Sequence, residues 1–306
     1  MEIHKSNLKI KDLVTSWGRR TYVMGILNIT PDSFSGDGLL TEQIKHPESD
    51  RSQDSFIVAA INQARQFVTA GADILDVGGE STRPGAEPIT VSEEVDRVIP
   101  VIRTLLNEFD VIVSIDTYKS EVAQAALEAG AQMVNDVWAL KANPKLGKIV
   151  ANFGVPIVLM HNRSSWAHAE IKKQLGGRYV GVPYENLLDD IKRELLESVS
   201  IANEAGIGND SIILDPGIGF GKTVGQNLEL LDRLDEIKAL GYPVLLGPSR
   251  KSFIGYTLDL PPDKRLEGTA AAVSVGIVRG VDIVRVHDVE FISRVVQMTD
   301  AIVRRD

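Results

Sequence analysis

Eight short apolar runs divide this chain at intervals, and they constrain its fold more than any other feature. The runs are rich in Val, Ile and Leu and are apolar at consecutive positions, so each is apolar on both faces. Such runs are typical of parallel β-strands covered by helices on both sides of a sheet. They occupy residues 23–29, 74–77, 111–115, 133–137, 157–160, 212–214, 244–246 and 283–286.

The segments between the runs have helical periodicity, as Val95, Val98 and Ile102 show with their spacings of three and four. A glycine follows many of these patterns shortly before the next strand, which predicts a left-handed residue that ends the helix. These glycines are Gly71, Gly130, Gly154, Gly206, Gly241 and Gly280. Eight strand–helix units without a linker predict one (β/α)8 TIM barrel of the α/β class, with a doubly wound open sheet as the alternative. We expect a lead-in over residues 1–21 and a single barrel domain over residues 22–306.

The composition of the 306 residues, 43% hydrophobic and 25% charged, supplies a large core and excludes a disordered, collagen-like or coiled-coil chain. The formal net charge of −9 argues against a nucleic-acid partner held by charge. Because cysteine is absent, disulfides, thiolate metal sites and cysteine nucleophiles are excluded. The first residues are too polar for a secretory signal, and no apolar run reaches the ~18 residues that span a membrane. We therefore expect a cytoplasmic protein with no membrane partner.

Polar side chains follow all eight predicted strands. In a barrel the carboxyl ends of the strands surround one mouth, where active sites are built, so we expect these residues to converge there. The structural alternative is that some of them only cap the helices that follow. The residues are Asn28; Glu80, Thr82 and Arg83; Asp116; Asn135 and Asp136; His161; Asp215; Ser249, Arg250 and Lys251; and Arg285, His287 and Asp288. Two irregular stretches, residues 36–55 and 162–183, are expected as loops on the same face.

Cationic and hydroxyl side chains gather after the last two strands, the usual phosphate site of a barrel. The set that suits a phosphate or diphosphate is Ser249, Arg250, Arg285 and His287. A diphosphate in an enzyme usually brings Mg²⁺, for which Asn28 and Asp32 are oxygen donors. For Arg285 the alternative is an ion pair with Asp288 or Asp116.

Acids and an amide follow the middle strands. Asp116, Asn135 and Asp215 offer acceptors and one donor, and together with Lys251 they suit a flat heterocycle that carries several N–H groups. The alternative is a purely structural pair of a lysine and a carboxylate. Loops 30–36 and 81–86 expose Phe34 and Arg83, which predicts that they close over a ligand unless they are ordinary loops.

Residues 217–223 resemble a phosphate-binding P-loop, but Pro216 stands where the first glycine of that motif belongs. A dinucleotide-binding interpretation fails as well, because Lys222 replaces the third glycine. The five histidines do not cluster in the sequence, so no zinc site is expected.

Six long segments of the chain resemble the dihydropteroate synthase family. The resemblance runs in order from about residue 22 to the C-terminus. The segments are GILNITPDSFSGDG (25–38), GADILDVGGESTRPGAEPI (71–89), SIDTYKSEVAQAALEAGAQMVNDV (114–137), LDPGIGFGK (214–222), LLGPSRKSFIG (245–255) and RLEGTAAAVSVGIVRGVDIVRVHDV (265–289). It implies a stand-alone bacterial enzyme, a homodimer, that condenses 6-hydroxymethyl-7,8-dihydropterin diphosphate with 4-aminobenzoate. The products are 7,8-dihydropteroate, on the way to folate, and diphosphate.

The resemblance also implies roles for individual residues. Asn28 would be the protein ligand of Mg²⁺. The pterin diphosphate would be bound by Thr82, Asp116, Asn135, Met160, Asp215, Lys251, Arg285 and His287. The 4-aminobenzoate pocket would be formed by Thr82, Arg83, Pro84, Phe220, Ser249 and Lys251. Catalysis would fall to Asp116, Asp215, Lys251, Arg285 and His287. Residues 226–240 and 264–280 would be candidates for the dimer face.

The sequence departs from the common family pattern at the rim of the site. The first loop reads SGDG where SDGG is more usual, an insertion lies within residues 39–55, and residues 160–163 read Met-His-Asn-Arg. Two other functions remain as alternatives. A pterin-binding barrel that transfers a methyl group would not need the cationic set after the last strands, and a non-catalytic pterin binder would not need every motif residue.

Overall fold

The computed structural model describes residues 17–30, 53–81, 86–164, 169–172, 175–179 and 183–305. Its strands are β1 (Tyr22–Asn28), β2 (Ile74–Gly78), β3 (Ile112–Asp116), β4 (Met133–Asp136), β5 (Ile157–Met160), β6 (Ala169–Lys172), β7 (Gly176–Tyr179), β8 (Ile212–Asp215), β9 (Leu245–Leu246) and β10 (Ile283–Val286). Its helices are α1 (Gln53–Thr69), α2 (Val91–Glu108), α3 (Ser120–Glu128), α4 (Lys145–Phe153), α5 (Leu187–Glu204), α6 (Val224–Asp232), α7 (Leu234–Lys238), α8 (Ser252–Leu258), α9 (Leu266–Val278) and α10 (Val289–Val303).

Strands from all eight predicted runs join one parallel sheet in the order β8-β5-β4-β3-β2-β1-β10-β9. The two ends of the sheet meet where Leu214 of β8 bridges Val244, one residue before β9. The predicted (β/α)8 TIM barrel is confirmed. The doubly wound open sheet is excluded, because such a sheet keeps two free edges.

The six glycines predicted to end helices all have the left-handed backbone conformation. Their φ angles run from +64° at Gly154 to +108° at Gly130. At the end of α4 the N–H of Gly154 donates to the carbonyl groups of Val150 and Ala151, which satisfies part of the last helical turn. These glycines stop each helix close to the start of the next strand. No helix in the described ranges combines the length and apolar character that a membrane crossing requires.

The two stretches predicted as irregular loops differ from that expectation. Helix α1 begins at Gln53, inside the stretch 36–55, most of which lies outside the described residues. Within 162–183, β6 and β7 form an antiparallel hairpin that pairs Ala169 with Tyr179. The prediction missed the alternation of apolar and polar residues in β6 (Ala-Glu-Ile-Lys), and β7 (Gly-Gly-Arg-Tyr) has no such pattern.

Side chains that point into the barrel change from apolar to polar partway along the strands. The lower layer is an apolar cluster of Tyr22, Met24, Ile74, Ile112, Met133, Val158, Ile213, Leu245 and Ile283. Because the side-chain period of a strand is two, the inward position two residues later faces the mouth. In five strands that step replaces an apolar residue with a polar one: Ile74 with Asp76, Ile112 with Ser114, Met133 with Asn135, Ile213 with Asp215, and Ile283 with Arg285.

Asp282, directly before β10, holds the seam where the barrel closes. Its side chain is fully buried. Oδ2 accepts hydrogen bonds from the N–H of Val244 at 2.8 Å and from Nζ of Lys238 at 2.6 Å, and Oδ1 accepts from the N–H of Gly18 at 3.2 Å. One carboxylate therefore joins the lead-in, the residue directly before β9 and helix α7 at the amino end of the barrel.

We expect Asp282→Ala to lower the free energy of unfolding by about 2–4 kcal/mol, because it leaves a buried N–H and an ammonium group without their acceptor. Urea unfolding measures this change. In the control Asp232→Ala, which removes the partner of Arg279 on the surface, the change stays within about 0.5 kcal/mol. Equal effects of the two substitutions would contradict the role of Asp282 at the seam.

Candidate active site

A pocket opens at the carboxyl ends of the barrel strands. Its lining includes nine of the residues predicted from the sequence, which come from six different strand ends: Asp116, Asn135, Met160, Asp215, Phe220, Ser249, Lys251, Arg285 and His287. Ile26, Val137 and Gly247 complete the wall. Thr82, Arg83 and Pro84, together with Asp32 and Phe34, lie outside the residues that the structure describes.

The guanidinium group of Arg285 lies between two carboxylates at the floor of this pocket. Its Nε donates to Oδ2 of Asp76 and its Nη2 donates to Oδ2 of Asp116, both at 2.6 Å. The ion pair with Asp116 that the sequence left open as an alternative is therefore present. The other alternative, Asp288, pairs instead with Arg250 at 2.6 Å.

Asp76 is a site residue that the sequence analysis missed. It lies in the middle of β2 and is fully buried. Besides Arg285, its Oδ2 accepts from Nδ2 of Asn135 at 2.9 Å, so it fixes two residues of the pocket at once. The signal was a lone acid between Leu75 and Val77 in an otherwise apolar run, since a buried charge needs a partner.

The acids of the pocket are held away from water, and this raises their pKa values. Burial raises the pKa of Asp116 to about 7, in spite of the opposing effect of Arg285, and neighbouring carboxylates add to the rise. Burial also raises the pKa of Asp215, and it lowers the pKa of Lys251 to about 8. Near neutral pH the floor can therefore either hold a proton on a carboxyl or accept N–H groups from a ligand.

Two further contacts define the cationic side of the pocket. Oγ of Ser249 accepts from the N–H of His287 at 3.1 Å and lies 3.0 Å from Nδ1 of the same residue. Nζ of Lys251 lies 4.3 Å from the centre of the Phe220 ring and donates to the carbonyl oxygen of Ile218. A hydroxyl, an imidazole and an ammonium group thus stand on one side of the acids.

Several polar strand ends lie outside the lining of this pocket and have structural partners. The carboxylate of Asp136 caps the turn after β4, where it accepts from the N–H groups of Trp138 and Leu140. Glu80 pairs with Lys119 at 2.7 Å. His161, Arg250 and Asp288 are absent from the lining as well. Capping and ion pairing account for most of these residues, as the structural alternative held.

We expect Asp116→Asn to stabilise the ligand-free fold at pH 8. A carboxyl with a raised pKa contributes stability that is fully present below about pH 4 and is lost as the pH rises through its folded value of about 7. Because asparagine does not titrate, the free energy of unfolding of Asp116→Asn should exceed that of the wild type by more than about 1 kcal/mol at pH 8, and by less at pH 5. Urea unfolding at the two pH values measures it. A loss of stability of the same size at both values would contradict the account.

Comparison with known proteins agrees with this geometry. The pterin binding enzyme family matches residues 24–287. The dihydropteroate synthases of Clostridium beijerinckii and Bacillus subtilis are 46% and 47% identical to this chain; the alignments cover 97% and 96% of the chain and 100% and 93% of those proteins.

Solved structures agree as well. A Clostridium difficile dihydropteroate synthase, determined in the presence of pteroic acid, has a TM-score of 0.81 at 44% identity and covers 94% of this chain and 99% of its own. The Xanthomonas albilineans dihydropteroate synthase with 4-aminobenzoic acid has a TM-score of 0.80 at 38% identity, with coverages of 92% and 93%. The chain therefore belongs to the pterin-binding enzymes and, among them, to the dihydropteroate synthase family.

Proposed function

We propose that this pocket condenses 6-hydroxymethyl-7,8-dihydropterin diphosphate with 4-aminobenzoate, and releases 7,8-dihydropteroate and diphosphate. The observation that carries the proposal is one pocket that brings acids and an amide together with cationic and hydroxyl side chains. Asp116, Asn135 and Asp215 suit the N–H groups of a pterin, and Arg285 with His287 suits a diphosphate. The two similar structures, one determined in the presence of pteroic acid and the other with 4-aminobenzoic acid, fit this assignment.

Pterin binding would exchange one set of partners for another. A pterin that donates N–H groups to Asp116 would replace the guanidinium group of Arg285 that bonds Asp116 in this structure. The Nη2 of Arg285 would then turn to the diphosphate, while its Nε stays on Asp76. Nδ2 of Asn135 is already oriented by Asp76, which leaves Oδ1 as an acceptor for the ring. Met160 would pack against the pterin.

The reaction breaks the bond between the pterin methylene carbon and the diphosphate oxygen, and forms a bond from that carbon to the arylamine nitrogen, which then loses a proton. The arylamine is already an uncharged nucleophile, so the departure of diphosphate is the difficult part. Asp116 and Asp215 would stabilise positive charge on the pterin, and Arg285 and His287 would stabilise negative charge on the leaving group. Lys251 would contact both substrates.

Asn28 would supply the protein ligand of Mg²⁺. It is the last residue of β1. A side chain on Gly78 would contact Oδ1 of Asn28 and the side chain of Asp116, so the glycine leaves this position between the two unfilled. An amide oxygen at the mouth of the barrel fits an ion that keeps most of its ligands as water and phosphate oxygens. When bound, Mg²⁺ would neutralise charge on the diphosphate. The pocket for 4-aminobenzoate would be completed by Phe220, Ser249 and Lys251 together with Thr82, Arg83 and Pro84.

Release of diphosphate from the pterin diphosphate, with and without 4-aminobenzoate, tests the proposed function. Release that depends on both 4-aminobenzoate and Mg²⁺ supports it. A methyl-transferring barrel or a non-catalytic pterin binder would give no release under either condition, and this result would overturn the proposal. Release without 4-aminobenzoate would indicate a hydrolase instead.

We expect Arg285→Ala to lower kcat by about a hundredfold or more, which is the usual effect of removing one group that stabilises developing charge. Pterin affinity should survive in part, because Asp116, Asn135 and Asp215 remain. Steady-state kinetics and pterin titration separate the two effects, and Arg279→Ala on the surface is the control. An unchanged kcat would argue against a role of Arg285 in the departure of diphosphate.

We also propose that the chain works in the cytoplasm, because it has no cysteine and therefore needs no oxidising environment for disulfides. We propose further that it forms a homodimer through helices α9 and α10. The two helices pack together, with Oγ of Ser274 and Oγ1 of Thr299 at 3.3 Å. They expose apolar side chains beyond what a single chain needs: Val275, Val278, Phe291, Met298 and Ile302, each at least 42% exposed. Of the segments predicted for the dimer face, 264–280 contains α9, whereas α10 was not predicted.

We expect Val278→Asp to convert the dimer to a monomer, because it would place a charge on an apolar face. Analytical ultracentrifugation measures the mass of the wild type and of Val278→Asp. Fractionation of cells separately tests the proposed cytoplasmic location. A wild-type chain that sediments as a monomer at micromolar concentration would contradict the proposed dimer.

A further inference from the structure

The glycine-rich segment after β8 resembles a P-loop in sequence, but it folds closely around its neighbours. Gly217, Gly219 and Gly221 all have left-handed φ angles, of +71°, +84° and +64°. A side chain on Gly217 would collide with the carbonyl oxygen of His161, and one on Gly221 with the backbone of Arg163. The glycines therefore allow the turn to press against the chain that follows β5.

The centre of this turn is the ammonium group of Lys222, which is only 3% exposed as a residue. Nζ donates to the carbonyl oxygens of Gly217 at 2.9 Å and Phe220 at 3.2 Å, and it lies 3.0 Å from Nδ1 of His161. Burial lowers the pKa of Lys222 to about 7, and in the protonated form each of the three ammonium protons has an acceptor here. Lys222 is absent from the lining of the active-site pocket.

His161 completes the arrangement as a neutral acceptor. Burial, followed by the charge of Lys222, lowers the pKa of His161 to about 4, so its ring is neutral at pH 7. We assign the proton to Nε2, which lies 3.1 Å from Oε2 of Glu194, and this leaves the lone pair of Nδ1 for Lys222. Glu194 is itself paired with Arg163. A chain of polar contacts thus fixes Lys222 to helix α5.

The same turn holds two groups of the pocket. The carbonyl oxygen of Ile218 accepts from Nζ of Lys251, and the ring of Phe220 lies beneath that ammonium group. A side chain on Gly219 would come within 2.8 Å of Cδ of Lys251, so the turn also fits against the stem of this lysine. Any shift of the turn would therefore move the ammonium group of Lys251 and the Phe220 ring together.

We propose that Lys222 is a positioning residue: by holding the carbonyl groups of Gly217 and Phe220, it places Lys251 and Phe220 for the arylamine substrate. The inference rests on the proposed function for the identity of that substrate. Asp116 and Asn135 are held by Arg285 and Asp76, away from this turn. The turn reaches the pterin side only through Lys251 and through the N–H of Gly217, which donates to Oδ1 of Asp215 at 2.7 Å. The loss of Lys222 should therefore weaken both sides, and the 4-aminobenzoate side more.

Two pairs of variants test this role. Lys222→Met removes the ammonium group from the turn. Its control is Lys238→Met at the other end of the barrel, which removes a lysine that bonds the carbonyl oxygen of Tyr242 and the carboxylate of Asp282. Gly219→Ala disturbs the turn with Lys222 intact. Its control is Gly225→Ala, where a new side chain meets nothing within 4 Å. The second pair keeps the test decisive if Lys222→Met does not fold.

The first readout does not depend on activity. An amine-acylating reagent should label Lys251 about threefold faster or more in Lys222→Met and Gly219→Ala, as followed by mass spectrometry. The reason is that Lys251 loses its hydrogen bond to the carbonyl oxygen of Ile218, which favours the charged form, so more of the reactive neutral amine is present. Both controls should label Lys251 at the wild-type rate. Unchanged labelling in the two test variants would overturn the positioning role, whether or not the proposed reaction is correct.

The second readout connects the role to the reaction. In Lys222→Met and Gly219→Ala the KM for 4-aminobenzoate should rise about tenfold or more. The Kd for 6-hydroxymethyl-7,8-dihydropterin diphosphate should rise less than this KM does, because Asp116 and Asn135 keep their own partners. A rise of equal size in Lys238→Met would show a merely structural effect and overturn the inference. Absence of diphosphate release by the wild-type chain would instead refute the proposed function, and the labelling result would still decide the role of Lys222.

Discussion

The active site depends on one arginine placed inside the barrel between two carboxylates. Asp76, Asp116 and Asp215 all point inward near the mouth, and such a group of acids is costly to bury without cations. Arg285 bonds the first two, and Lys251 faces the third. The upper half of the barrel is therefore a charged cluster on top of an apolar layer. Arg285 pairs with Asp76 and Asp116, whereas Lys251 and Asp215 each bond a backbone group of the turn after β8.

Barrel closure is what brings these groups together. Arg285 and Asp116 are 169 positions apart in the chain, yet β10 and β3 are separated in the sheet only by β1 and β2. β1 carries Asn28 to the same edge. Asp282 bonds Val244, directly before β9, and so fixes β10 against β9. The register that completes the barrel therefore also brings Ser249 and His287 together beside Arg285 at the mouth. Stability at the amino end and chemistry at the carboxyl end thus rest on the same strand alignment.

Much of this arrangement follows from the sequence, because strand ends in a barrel meet by geometry alone. Apolar runs mark the strands, glycines mark the helix ends, and the residue after a strand faces the mouth. Asp76 escaped this reasoning because it lies mid-strand. Lys222 escaped it because its surroundings resemble a P-loop, and the neighbours that surround it come from β5 and α5. Asp136 and Arg250 were expected in the pocket and instead cap a turn and pair with Asp288, since those partners are set by tertiary contacts that a linear pattern does not contain.

A crystal structure of this chain with 6-hydroxymethyl-7,8-dihydropterin diphosphate and Mg²⁺ tests the central claim most directly. The account predicts the pterin N–H groups on Asp116 and Asp215. It also predicts Nη2 of Arg285 released from Asp116 and turned to the diphosphate, with Nε still bonded to Asp76. A pterin bound elsewhere, or an Arg285 that keeps its bond to Asp116 beside a bound pterin, would contradict it.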